Sequence, residues 1–366
     1  MKNFIPFLIL IIIYSCSSVE SEKSIINIDL TNDIVNPKHY IVSKTENEIK
    51  VDGRADDSDW NNAHFTDLFI DIEGIEKPEY NTRLKMLWDE NYLYLYCEMQ
   101  EPHIWGNIEK RDAIIYFNND FEVFIDPSGT TKNYGEIEIN PLGTIFDLSL
   151  DKPYKVGGKP NIHWDLKNLQ SAIQIYGTIN NYDDLDSLWT VEMAIPLKAF
   201  VNFKNKPKSF PKEGEQWRIN FSRVEWQFEI IDGKYQRKQT DGKFLPENNW
   251  VWSPQKVINM HEPEKWGFLQ FTNNITTEGV DFIEDEDLTT KQIAYAFFRR
   301  TIKNDLTYLL KNKVGTEQII TVKYSKTDSL KALFIKTYFG FEFIVNSPTS
   351  KLAYVINEEG VLKTIK

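Results

Sequence analysis

Asn118-Asn119-Asp120-Phe121-Glu122-Val123-Phe124-Ile125-Asp126-Pro127 is the stretch on which the reading of the fold turns. Phe121, Val123 and Ile125 alternate with Asp120, Glu122 and Phe124. That is the period of a strand with one face buried. Glu122, inside the run, has two readings. It is either a carboxylate pointing at water or a polar group held on the rigid wall of a binding face. Asp126-Pro127-Ser128-Gly129 then ends the strand, because proline presets φ and glycine tolerates a left-handed corner.

Runs of the same kind lie on both sides. Leu84 to Trp88 leads into the turn Asp89-Glu90-Asn91, and Tyr92 to Met99 returns. Gly135 to Asn140, Thr144 to Leu150, Ile173 to Ile179, Leu188 to Ile195, Trp217 to Val224 and Trp266 to Phe271 follow. Short strands at this spacing predict a mainly β chain, an antiparallel β-sandwich over residues 42–273. Cys97 shares a face with Leu93 and Leu95 and reads as a small core residue. Beyond it, Thr289-Thr290-Lys291-Gln292 has the spacing of a capping box, and Ile293, Phe297, Ile302, Leu306 and Leu309 recur at helical spacing. These predict a helix from Leu288 to Lys311. Strands are expected at Ile319 to Tyr324, Leu330 to Lys336, Phe341 to Val345 and Leu352 to Ile356. Residues 274–366 therefore read as a small C-terminal α+β appendage.

The amino terminus reads as a processing segment. Lys2 precedes the apolar run Phe4 to Ile13, which is too short to span a bilayer. Ile13-Tyr14-Ser15-Cys16 resembles a bacterial lipobox, with Cys16 as the lipidated residue. A plain secretory peptide with an incidental cysteine is the alternative. Residues 1–16 are thus read as a lipoprotein signal peptide and 17–41 as a tether. The absence of aspartate beside Cys16 points to an outer-membrane address in a Gram-negative cell. Several acyl chains would anchor the protein stably, at roughly 0.8 kcal/mol per buried methylene.

Composition removes some functions. The formal net charge of −12 disfavours nucleic acid, which needs a basic patch. There is no glycine-rich phosphate loop, no G-x-S-x-G elbow and no H-E-x-x-H. None of the 5 histidines has metal-ligand spacing with another. Glu122, Glu138, Asp165, Glu192 and Glu225 are available as a glycosidase pair, but among 54 acidic residues such a pair arises by chance. The chain is read as not an enzyme, with a glycoside hydrolase as a minor alternative.

Aromatic residues are what remain, at 14% of the chain with 10 tryptophans. Trp250 and Trp252 lie in the polar segment Glu247-Asn248-Asn249-Trp250-Val251-Trp252-Ser253-Pro254. Alternation places both on one side, as either a cap on the sandwich or a platform for a ligand. Sugar rings offer C–H faces to aromatic rings, and their hydroxyls need fixed polar partners. Arg223-Val224-Glu225-Trp226 has the same mixture.

Over roughly Ile49 to Phe271 the chain resembles family-9 carbohydrate-binding modules, and more closely the family-9-like lipoproteins of Bacteroidetes. The resemblance rests on Val51-Asp52-Gly53 with Asp59-Trp60, Leu87-Trp88-Asp89-Glu90, Asn119 to Asp126, Trp189-Thr190-Val191-Glu192, Trp217 to Arg223, and His261-Glu262-Pro263 with Trp266-Gly267. It implies a sandwich that binds sugars between two aromatic side chains, with structural calcium in some members. By that likeness Tyr116 stands where the modules have tryptophan, Glu122 matches the strand glutamate, and the second aromatic wall falls near Trp252. Glu138 or Asn140 stands where an arginine is common. Together with the residue mixture around Arg223, this gives an expected mechanism of stacking by Tyr116 and Trp252 with Glu122, Asn140 and Arg223 fixing hydroxyls, and Asp126 is either a Ca2+ ligand or only the end of a strand. The implied partners are an oligo- or polysaccharide, the membrane, and surface glycoside hydrolases or transporters. The reading of another class is a protein-binding scaffold, for which Trp250 and Trp252 should be buried or face a partner.

Overall fold

The computed structural model describes residues 25–203 and 211–365. The expected signal peptide and Cys16 lie outside the described residues. The stretch around Glu122 forms the strand Asp120–Asp126. It pairs antiparallel with Tyr134–Ile139 on one side and Gln216–Glu225 on the other. Ile145–Leu150 extends this leaf beyond Tyr134–Ile139, and Gly267–Phe271 and Asn248–Val251 both pair with Gln216–Glu225. The second leaf is Thr82–Trp88, Tyr92–Gln100, Leu188–Pro196 and Gln170–Tyr176, antiparallel in that order.

Phe121, Val123 and Ile125 meet Leu84, Met86, Leu95 and Cys97 in one core between the leaves. Cys97 is a free, buried thiol there. One strand departs from the antiparallel expectation. His39–Lys44 runs parallel to both leaves, pairing residues 39–42 with 268–271 and residues 43–44 with 87–88. It stitches the two sheets into one continuous hydrogen-bonded path.

The motif Val51-Asp52-Gly53 has a structural task. The backbone N–H groups of Asp52 and Gly53 and the indole N–H of Trp60 all donate to Glu192, at 2.8, 2.9 and 3.0 Å. Gly53 has φ +88, and a Cβ there would lie 2.9 Å from the backbone of Gln174, so only glycine fits. Glu192 is therefore a buried clasp between the entry loop and the second leaf, not a catalytic candidate.

The expected tether contributes structure from Ile26 onward. Ile26–Asp29 pairs parallel with Glu317–Lys323 and opens the six-stranded C-terminal sheet. Ile28 and Leu30 are buried in its core, which a polar-looking segment this short did not advertise. The helix spans Leu288–Lys303, followed by a separate 3-10 turn at Thr307–Lys311. The expected capping box does not form. Asp287 is the N-cap, and its carboxylate accepts hydrogen bonds from Ser347, Ser350 and Tyr354 instead. Gln292 accepts the backbone N–H of Val35 at 3.0 Å. Phe297 stacks on Phe343 at 4.4 Å, seating the helix on the sheet. Arg299 grips Glu264 with two hydrogen bonds of 2.8 and 2.9 Å, tying the appendage to the sandwich.

Candidate functional site

Because side chains alternate along a strand, the leaf around Glu122 has a second face. Asp120, Glu122 and Phe124 point away from the sandwich core, in register with Glu136 and Glu138 on one side and with Asn220, Ser222 and Val224 on the other. Of the two readings of Glu122, one was a carboxylate pointing at water. Instead all seven residues of Asp120–Asp126 are buried. Phe124 packs with Ile72, Tyr134, Phe146 and Trp266 in a second apolar cluster. A cleft of about 640 Å³ near His39 and Phe282 lies apart from this cover. The cleft over the Glu122 face measures about 530 Å³.

Glu122, Glu136, Glu138, Glu247 and Asn249 supply its polar lining. Tyr116, Tyr154, Ile114, Ile162 and Ile258 supply exposed apolar surface at its walls. Tyr116 is 36% exposed and Tyr154 39%. Tyr116 belongs to the 3-10 turn Ile115–Phe117. Its backbone N–H donates to Glu138 at 3.0 Å, and its carbonyl accepts the indole N–H of Trp226 at 2.7 Å. Two fixed partners thus set the position of its ring. Tyr154 leans edge-on against His261 at 4.5 Å, and His261 is held through Nδ1 by the hydroxyl of Tyr134 at 2.9 Å.

The electrostatics of the face are unusual. Burial, with the charge of Glu247 adding to it, pushes Glu122 up to about 7. Burial raises Asp120, Glu136 and Glu138 well above the carboxylate range, and neighbouring glutamates push the same way. Burial lowers His261 to about 3, so it is neutral at ordinary pH. Among the described residues, no lysine or arginine lines the cleft.

Of the residues expected at the site, the structure brings Tyr116 and Glu122 together. Glu138, weighed beside Asn140, also lines the cleft. The others are elsewhere. Trp252 is 1% exposed and packs on Phe221 within the sandwich core. Gly267 leaves room for its indole, since a Cβ there would meet the ring at 2.3 Å. Trp250 is buried beside Tyr80. Alternation did place both indoles on one side, and that side is the core. Arg223 also faces inward. It donates to Glu225, Glu101, Thr82 and the Gln100 carbonyl, which occupies all its N–H groups. Asn140 is fully buried and accepts from the backbone of Leu142 and Thr144, stapling a turn. Asp126 does not fit a metal ligand. Its oxygens accept from the backbone of Ser128, Gly129 and Thr131 and from the Ser128 hydroxyl. It closes the strand-ending turn.

Sequence reading missed Tyr154, Glu136 and Asn249 at the cleft. Glu136 was visible, two residues before Glu138 on a strand. Tyr154 gave no signal, because it sits in a turn after Pro153 and reaches the cleft only through the packing on His261.

Two leaves with a recessed, aromatic-walled face form an arrangement that can hold a ligand. The family model described as "Carbohydrate family 9 binding domain-like" matches residues 51–274, and the chain belongs to that family. No curated protein matches it in sequence. Among solved structures, it is similar to a candidate carbohydrate-binding protein from Bacteroides uniformis, at 16% identity and a TM-score of 0.48, over 64% of this chain and 100% of that one. A family-9 carbohydrate-binding module from Caldicellulosiruptor kristjanssonii in complex with cellotriose is 16% identical, with a TM-score of 0.42, over 68% of this chain and 100% of that one. The same module type from that organism in complex with glucose gives 16% and 0.42, over 65% and 97%.

Proposed function

We propose that the chain is a non-catalytic carbohydrate-binding protein that takes a sugar in the Tyr116 cleft. The observation that carries this reading is the pairing of exposed tyrosine rings with buried carboxylates on a rigid strand. Tyr116 and Tyr154 offer ring surface to the C–H faces of a sugar, and Glu122 and Asn249 offer fixed partners to its hydroxyls. Tyr154 takes the place that the resemblance gave to Trp252. One or two ring contacts would give affinity of roughly micromolar to millimolar order.

The lipobox-like Ile13 to Cys16 supports a further proposal, a lipid-anchored protein of a bacterial outer membrane. There it would hold polysaccharide near surface hydrolases or transporters, and the anchor would raise its effective concentration. A second reading, a protein-binding scaffold, draws on the burial of both Trp250 and Trp252.

The test is calorimetry of the protein against a panel of oligosaccharides. Tyr116→Ala is expected to weaken binding about tenfold or more, from lost stacking. Tyr154→Ala should do the same, whereas Trp252→Ala should cost about 3–5 kcal/mol of stability and leave the affinity of the folded fraction unchanged. No heat from any glycan at millimolar concentration would favour the scaffold. Turnover of a bound glycan would overturn the non-catalytic reading.

A further inference from the structure

We propose that Asp120, Glu122 and Glu138 form a binding site for a divalent cation of the calcium class at the base of the cleft. Each of the three offers a carboxylate oxygen, and these oxygens all lie within 4.8 Å of one another. Calcium takes oxygen ligands at about 2.3–2.6 Å, so oxygens on opposite sides of one ion stand roughly 4.8 Å apart. The donor set is entirely carboxylate, which suits a hard cation and not a thiolate- or imidazole-seeking metal.

The second observation is Asp120 itself. It is fully buried, and neither of its oxygens has a hydrogen-bond partner among the described residues. The nearby backbone N–H of Val224 favours the charged form of Asp120, but it is not a hydrogen-bond partner of either oxygen. One oxygen of Glu136 on the same face is also unpartnered. Other buried carboxylates in the chain are served. Glu264 has Arg299, Glu262 has Lys265, Asp147 has Arg111, and Asp59 accepts two backbone N–H groups. A buried carboxylate without base or donors is costly, and a bound cation removes that cost. Glu138 also accepts the backbone N–H of Tyr116, so the ion would brace the turn that carries the tyrosine.

The ion is read without any sugar, so this inference stands or falls apart from the carbohydrate reading. The experiment strips the protein with chelator and titrates Ca2+ by calorimetry and thermal melting, with Asp120→Asn, Glu122→Gln, Glu138→Gln and Glu247→Gln alongside. The expected result is one ion per chain with a rise in Tm. Each trio variant should lose at least about tenfold in ion affinity, while Glu247→Gln, in the cleft but outside the trio, keeps it. Should Asp120→Asn fail to fold, the two glutamine variants of the trio carry the test. Absence of heat and of any Tm shift at about 10 mM Ca2+ would overturn the proposal. So would binding that survives unchanged in all trio variants, since the ion would then sit elsewhere.

Discussion

The two faces of one leaf bury acids in opposite ways. On the inner face Arg223 stands between Glu101 and Glu225, with N–O distances of 2.8 Å to each. On the outer face, one residue along in register, Ser222 stands opposite Glu122, and the neighbours are Asp120, Glu136 and Glu138. The inner acids have a guanidinium, and the outer acids have none. Even on the inner face one cation balances only one of two carboxylates, so burial and the Glu101 charge push Glu225 up. The difference separates what acids do for a fold from what they do for a ligand. A charge satisfied from within locks two leaves together. Acids left without an internal partner are kept only where something else supplies the balance, a proton or a bound group.

The sharpest way to break this comparison is to remove the inner base. Arg223→Met leaves Glu101 and Glu225 buried and facing each other. The expected cost is about 3–5 kcal/mol, the usual penalty for orphaning a buried charge. Urea denaturation measures it. A loss under about 1 kcal/mol would mean that the inner acids are carried by protons and Asn119, and the two faces would be alike.

The sandwich was legible because its signal is local. Phe121, Val123 and Ile125 alternate over enough residues to fix which side is core, and Asp89 shows its turn by accepting the N–H groups of Asn91 and Tyr92 at 2.6 and 2.7 Å. Alternation singled out Glu122 as a carboxylate with two readings, and it was the resemblance to family-9 modules that pointed to Tyr116 and to a binding role for Glu122. The site roles expected of Trp252 and Arg223 did not hold, because a polar neighbourhood in sequence says nothing about depth in space. Trp252 is buried by Gly267 and Phe221, and Arg223 by acids from two leaves. Neither contact has a sequence spacing. Nor does the cover over the outer face, built from Ile72, Phe146 and Met260. Without that cover Glu122 looks like a strand carboxylate in water. With it, Glu122 becomes the floor of a cleft.

A second prediction concerns the neutral histidine of the outer face. His261 is held at about 3 in the fold, against an ordinary value of 6.5. Below about pH 6.5 the unfolded chain therefore binds a proton that the native chain refuses. His261 thus leaves stability intact above that pH and removes it as pH falls toward 3, by up to about 1.4 kcal/mol per unit. The raised Glu122 works the other way, since its native form takes a proton first. The wild-type curve alone mixes the two. His261→Gln isolates the histidine: its stability should fall less steeply between pH 6 and pH 4 than that of the wild type. Parallel curves would show that His261 charges in the native state, and that the outer face is wetter than its burial indicates.

The smallest expected effect sharpens the comparison most. Glu122→Gln keeps the shape of a buried side chain on the cleft floor and deletes one acid from a set that has no base among the described residues. Chelated protein should therefore change by no more than about 1 kcal/mol, and in the stabilising direction, because repulsion and the cost of burying charge both fall. Arg223→Met on the other face deletes a charge that its neighbours need, and must go the other way. If Glu122→Gln instead lost more than about 2 kcal/mol, Glu122 would have a donor that serves it as Arg223 serves Glu225. The outer acids would then be part of the scaffold, and the cleft above them would have to bind its ligand with tyrosines and Asn249 alone.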